Sequence, residues 1–289
     1  MDHPPVIACV VILFDPPKGV LDNIATYLPQ VDQLFVMDNS PAPDPSLAKE
    51  VEKWKDATYI PMGSNKGIAA ALNAGARVAT ERGCDYLLLM DHDSQADEGM
   101  VAAYRSYITS ERGDLSSVAI LSPFHFYKNY TTRVDGADVE RSVAITSGTL
   151  LDLRAYREVG PFLEPLFIDY VDFEYCLRLR LRGYRIVRVG KAVLYHTLGD
   201  LTSRVIVGRK IGVTRHSPLR VYYRTRNRLF VARRYLFSFP GFVLFDAMVF
   251  CNELIKIIFF EEDAVDKCAM MLKGARDFLR NRYGEYGKA

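Results

Sequence analysis

An apolar run that ends in two acids one residue apart carries the first chemistry: Asp85-Tyr-Leu-Leu-Leu-Met-Asp-His-Asp-Ser94. Leu87, Leu88, Leu89 and Met90 read as a short strand buried on both faces, as in a parallel sheet. Side chains two apart on a strand point the same way, so Asp91 and Asp93 leave its end as a pair. Ligands bind at the carboxyl ends of strands in open α/β sheets. Two carboxylates there suit a hard divalent cation, Mg2+ or Mn2+, that also holds phosphate oxygens. The plainer alternative is a strand ending in an acidic, capping loop.

The elements that position this pair follow from apolar runs and their punctuation. Val6 to Phe14 reads as the first strand, and Asp15-Pro16-Pro17 breaks it before an amphipathic helix through Leu21, Ile24 and Leu28. Gln33 to Met37 is the second strand and runs into Asp38-Asn39-Ser40; a charged helix follows around Leu47 to Trp54. The third strand lies near Thr58 to Ile60, ahead of Asn65-Lys66-Gly67 and an Ala-rich helix to about Arg82. This alternation implies a parallel sheet with right-handed crossovers. Asp15, Asp38, Asn65 and the Asp91–Asp93 pair then sit on loops at one edge of it. The segment Gly63 to Gly67 is neither of the glycine-rich phosphate fingerprints, which argues against a dehydrogenase or an NTPase. Asn65 and Gly67 precede a helix N-terminus, which can face an anion or simply be capped.

The second half is mixed. Val118 to Tyr127 and Val143 to Leu153 read as strands, the latter interrupted at Ser147-Gly148-Thr149. Gly148 either admits a ligand to the backbone or marks a bulge. Phe167-Ile168 looks strand-like, and Asp169, Asp172 and Glu174 follow where a helix dipole favours acids. Helical spacing gives Val171, Tyr175 and Leu179 one face. Short strands over Arg185 to Val189 and Ala192 to Tyr195 end at His196, a metal ligand or a structural histidine.

Between Leu201 and Phe245 there is no acidic residue, while ten arginines and lysines fall there. Such a window implies an anionic partner. Ser217-Pro218 starts a helix on which Arg220, Arg224 and Arg228 share a face, with Asn227 beside them. No recognised nucleic-acid motif accompanies these charges. Phe237 to Phe260 is strongly apolar but carries Asp246, Glu253 and Lys256, and Pro240-Gly241 breaks it. A spanning helix needs about 20 uninterrupted apolar residues, so this one reads as interfacial on a membrane, or as packed against the protein or a second subunit. The five scattered cysteines have neither disulfide nor zinc spacing, which suits the cytosol.

Taken together, Val11-Ile-Leu-Phe-Asp-Pro16, Val36-Met-Asp-Asn-Ser40, Asn65-Lys-Gly67, Leu89-Met-Asp-His-Asp-Ser94, Thr146-Ser-Gly-Thr149, Phe167-Ile-Asp-Tyr-Val-Asp172, His196-Thr-Leu-Gly199 and Arg220-Val-Tyr-Tyr-Arg-Thr-Arg-Asn227 resemble the family 2 glycosyltransferases with the GT-A fold, and within them the bacterial rhamnosyltransferases. Many members carry Glu-Asp where this chain has Val171-Asp172.

The resemblance implies a Rossmann-like mixed α/β sheet flanked by helices, with a helical C-terminal extension. It divides the chain into a catalytic domain over 1–200, with a nucleotide-binding half over about 1–95 and an acceptor half over about 96–200, and a basic, amphipathic region over 201–289. It implies inverting transfer of a sugar, L-rhamnose from dTDP-rhamnose, onto a saccharide linked to polyprenyl diphosphate in bacterial surface-polysaccharide synthesis. A UDP-sugar transferase and a non-catalytic sugar-nucleotide-binding partner are the alternatives. Asp172 takes the role of base. Phe14, Asp15, Asp38, Asn65, Gly67, Asp91, His92, Arg220 and Arg226 take the donor, and Asp91, Asp93 and His196 the metal. Ser147, Gly148 and Asp169 take the acceptor. The expected setting is cytoplasmic, peripheral on the anionic inner face of the plasma membrane, with a homodimer through the C-terminal helices as a further possibility and no nucleic acid.

Overall fold

In the computed structural model the described residues are 4–110, 115–127, 136–196, 201–206, 209–214 and 216–288. The chain divides into two compact units, residues 1–164 with 175–197, and residues 165–174 with 198–289.

The first unit is built on β1 (Ile7–Leu13), β2 (Gln33–Asp38), β3 (Ala57–Pro61) and β4 (Tyr86–Asp91). These run parallel in the order β3-β2-β1-β4. Every residue of β1 is buried, which is why the run is apolar without alternation. The helices α1 (Val20–Ala25), α2 (Pro45–Val51) and α3 (Ile68–Glu81) make the crossovers.

Beyond β4 the sheet becomes mixed. It continues through β5 (Ser94–Ala96), β6 (Val118–Tyr127), β7 (Val139–Arg141), β8 (Thr149–Asp152) and β9 (Arg185–His196), with α4 (Met100–Thr109), α5 (Leu153–Val159) and α6 (Val171–Leu181) between them. Its order is β3-β2-β1-β4-β8-β6-β9-β5, with β7 also on β9. The strand expected over Val143 to Leu153 is only the four residues of β8. The two short strands expected over Arg185 to Tyr195 are one strand, β9.

The second unit holds a hairpin, β10 (Leu201–Ile206) with β11 (Arg209–Thr214), and the helices α7 (Pro218–Tyr235), α8 (Pro240–Phe260) and α9 (Ala264–Leu279). Ser217 caps α7 by accepting from the Arg220 N–H at 3.3 Å, with Pro218 in its first turn. Pro240 starts α8 rather than breaking it, because proline is tolerated in a helix's first turn.

Three arginines of the acid-free window find acidic partners inside this unit. Arg228 donates to Asp246 and Glu253 at 3.1 Å, Arg224 pairs with Glu253, and Arg220 holds Asp169 at 3.2 Å. For Arg220, Arg224 and Arg228 the expected anionic partner is thus supplied by acids of the chain that lie outside the window. Arg204, Arg209, Lys210 and Arg215 have side chains outside the described residues. The polar stripe of α8 serves the same pairs, and its other face exposes Leu244, Phe245, Met248, Ile255, Ile258 and Phe259. Among the described residues no helix is long and apolar enough to cross a membrane.

Close approach between α7 and α9 depends on Gly274. A Cβ there would lie 2.6 Å from the Tyr222 carbonyl oxygen and 3.3 Å from the Arg226 nitrogen. Gly274→Ala is expected to destabilise the protein by about 1–3 kcal/mol in thermal denaturation, since overpacking outweighs the gain in helix propensity. An unchanged or raised Tm would contradict this tight contact.

Candidate active site

Three loops at the carboxyl ends of β1, β2 and β3 are tied together by side chains. The Asp15 N–H donates to Ser40 Oγ at 2.9 Å. Asn39 Nδ2 donates to Asn65 Oδ1 at 3.1 Å, and Asn39 Oδ1 accepts from the Lys66 N–H at 2.8 Å. Asn65 Oδ1 also accepts from the Gly67 N–H at 3.0 Å. Gly67 starts α3 at φ 84 and ψ 161, a conformation open essentially to glycine alone. Phe14 is exposed and Asp15 adopts φ 41 beside it. The expected convergence of these loops thus has a physical basis in asparagine and serine bridges.

Asp38 is fully buried. Its carboxylate accepts from the Ser40 N–H at 2.9 Å and from the Tyr59 hydroxyl. Burial and this carboxylate push the Tyr59 pKa well up. Asp38, which the resemblance placed among the donor-binding residues, therefore braces its loop from beneath.

Asp91 closes β4, and Asp93 follows in the turn before β5; both are half-buried. Asn23 holds this turn, donating to the His92 carbonyl at 2.8 Å and accepting from Gln95 Nε2 at 2.8 Å. His92 thereby contributes its backbone. The Tyr27 hydroxyl is buried and has no hydrogen-bond partner. Burial raises its pKa first, and Cys9, Asp91 and Asp93 add to this, so both carboxylates bear on one buried oxygen. Two carboxylates at the end of one strand are the donor type that a hard divalent cation takes, completing its shell with water and phosphate. Among the described residues no group of three histidines, cysteines or acids is assembled. The backbone of His196 pairs with Ser94, next to Asp93. The His196 side chain lies outside the described residues.

Ser147 and Gly148 sit behind this pair. Ser147 Oγ donates to Ser94 Oγ at 2.7 Å and accepts from the Asp91 N–H at 3.4 Å. Gly148 has φ 76, and a Cβ there would lie 2.6 Å from Pro123 and 3.0 Å from Leu194. Protein atoms fill the space that a ligand was expected to use, so packing and backbone sign require this glycine.

In the second unit Asp172 lies in the first turn of α6, half-buried, and its Oδ1 accepts from the Phe173 N–H at 2.8 Å. The preceding turn is not strand-like. Phe167, Asp169 and Tyr170 have φ of 66, 59 and 64, left-handed values that L-residues resist. Asp169 is engaged by Arg220 through Nε at 3.2 Å and Nη2 at 3.2 Å. Glu174, the third acid, is fully buried and accepts from the Tyr235 hydroxyl at 2.8 Å. Arg226, expected at the diphosphate, is also fully buried. It donates to the carbonyls of Gly284 at 2.8 Å and Leu166 at 3.1 Å, among the rings of Tyr222, Tyr223 and Tyr283. That call is corrected: its guanidinium is consumed by backbone oxygens and aromatic faces.

The sheet and its helices define a GT-A-like fold. Solved structures share it: GalNAc-T7 with UDP, GalNAc and Mn2+ matches with a TM-score of 0.62 at 10% identity over 98% of this chain and 59% of that one. S. aureus TarS matches with a TM-score of 0.57 at 13% identity over 80% of this chain and 40% of that one. Residues 17–148 match the sequence profile of Glycosyl transferase family 2. The dTDP-rhamnosyl transferase RfbF of Shigella flexneri is 27% identical over 242 residues, covering 79% of this chain and 80% of the relative. Over residues 17–148 the chain is similar to the family 2 glycosyltransferases, and over most of its length its sequence is rhamnosyltransferase-like.

His216, just ahead of α7, supplies a pH test of the second unit. Burial, with Arg224 and Arg220 and against Asp169, lowers its pKa to about 4 from an ordinary 6.5. The unfolded chain then binds the proton more readily, so stability is full above about pH 6.5 and falls as pH drops towards 4. Thermal melts of His216→Asn are expected to lose less Tm than wild type between pH 7 and 4.5. Equal losses would contradict the burial of a neutral imidazole.

Proposed function

We propose that the protein transfers L-rhamnose from dTDP-rhamnose to a hydroxyl of a saccharide acceptor, with inversion at the anomeric carbon. The observation that carries this reading is the Asp91–Asp93 pair at the carboxyl end of β4, in a chain alike over most of its length to a dTDP-rhamnosyl transferase.

The loops bearing Phe14, Asp15, Asn65 and Gly67 receive the nucleoside, with Asp38 bracing them from below. Asp91 and Asp93, with His196 proposed beside them, would hold Mg2+ or Mn2+, which would supply positive charge at the leaving diphosphate. Arg220, half-exposed on its pair with Asp169, is the remaining cation proposed for the donor or acceptor. The acceptor oxygen attacks the anomeric carbon while its proton passes to Asp172, and the bond to the diphosphate breaks with its electron pair. Asp172 suits the role because it lies at a helix N-terminus, where the dipole favours an ionised carboxylate. Asp169 is already occupied by a guanidinium, and Glu174 is buried.

The exposed apolar face of α8 supports an acceptor carried on a lipid, a polyprenyl diphosphate, and a peripheral place on the cytoplasmic side of the membrane. A second copy of the chain on that face is the competing reading.

Release of nucleoside diphosphate from a panel of nucleotide sugars, with and without EDTA, tests the donor and the metal together. The fastest metal-dependent release is expected from dTDP-rhamnose, and preference for a UDP-sugar would overturn the donor. For the base, Asp172→Asn is expected to lose transfer by roughly a hundredfold or more while donor affinity in calorimetry persists. Near wild-type transfer by Asp172→Asn, together with loss in Asp169→Asn, would move the base to Asp169.

A further inference from the structure

The turn that leads into Asp172 is held from the middle of α7. Asn227 is fully buried there. The two hydrogens of its Nδ2 are shared among the carbonyls of Leu166 at 2.8 Å, Ile168 at 2.8 Å and Asp169 at 2.9 Å. Its Oδ1 accepts from Arg226 Nε at 3.0 Å. One amide thus gathers three carbonyls from four consecutive residues and is itself oriented by a guanidinium that bonds the same stretch.

The gripped segment is the one with left-handed backbone at Phe167, Asp169 and Tyr170, none of them glycine. Such residues are strained and persist only where surroundings over-determine them. Strain of this kind gathers where geometry matters to function. Here it ends at Val171, the first residue of α6, and the next residue is Asp172. An aspartate at 227 would set a carboxylate against three carbonyl oxygens, and a leucine would leave all three without this donor. Only an amide of this length both donates to the turn and accepts from Arg226.

We propose that Asn227 is a positioning residue: by holding the Leu166–Asp169 carbonyls it fixes the left-handed turn that sets the Asp172 carboxylate at the acceptor hydroxyl. The proposal rests on Asp172 being the base. Asn227 touches neither substrate nor reacting atoms and acts through the backbone alone.

A double-mutant cycle distinguishes this from ordinary core packing. Nucleoside diphosphate release is followed with water as the acceptor, using the nucleotide sugar that the wild type turns over fastest. Asn227→Ala is expected to lower kcat by roughly ten- to a hundredfold with donor KM within about twofold, in protein that melts cooperatively. In the double variant with Asp172→Asn, kcat is expected to fall no further than in Asp172→Asn alone, because both changes remove one function. Losses that multiply, or a kcat per folded molecule that stays at the wild-type value, would overturn the proposal. If Asn227→Ala does not fold, Asn227→Gln, which keeps the amide but sets it one methylene further out, is read by the same two criteria. A wild-type rate in Asp172→Asn, or a wild type that turns over no nucleotide sugar, removes the underlying reading and the proposal with it.

Discussion

The second unit depends on a hydrogen-bonding demand created by backbone shape. The turn at 166–170 points several carbonyls towards α7, and buried carbonyls left unpaired cost about as much as a lost hydrogen bond. Arg226 and Asn227, adjacent on that helix, meet the demand with a guanidinium and an amide. Both side chains are fully buried, so each must be satisfied in turn. Gly284 accepts from Arg226 and donates its N–H to the Pro165 carbonyl at 2.7 Å, which brings the C-terminal segment into the same network. Gly274 then allows α9 to lie against the stretch of α7 that carries the pair.

Electrostatic balance in this unit is achieved across the chain rather than along it. Arg228 lies between Asp246 and Glu253, its guanidinium over the rings of Tyr170 and Phe250. Tyr170, itself left-handed, donates to Asp246 at 2.7 Å. Removing one partner from such a set would strand a buried charge, a far larger penalty than the pair's net contribution. Arg220, Arg224 and Arg228 of α7 therefore bind acids of α8 and of the turn before they can bind anything else.

Much of the first unit was legible because its strands are buried on both faces and its loops begin with Asp, Asn or Gly. The run ending at Asp91 and Asp93 is the clearest case. The division of β9 failed at Gly190, which reads as a turn but sits within a strand. A Cβ there would meet the backbone of Gly136 and Ala137 at 2.3 to 2.5 Å, so close approach explains the glycine. Phe167-Ile168 read as a strand because left-handed backbone at non-glycine residues leaves no mark in residue types; the donors that impose it are some 60 residues away. For the same reason the window read as acid-free, although the acids that meet Arg220, Arg224 and Arg228 lie outside it in sequence. Asn227, a single amide on an arginine-rich helix, was the available signal.

The central claim is that Asp172 removes a proton, and an acceptor that carries none tests it most directly. Azide attacks an anomeric carbon without needing a base. The account predicts that Asp172→Ala, nearly inactive with water, forms the glycosyl azide of inverted configuration at close to the wild-type rate. An Asp172→Ala variant as inactive with azide as with water would contradict it.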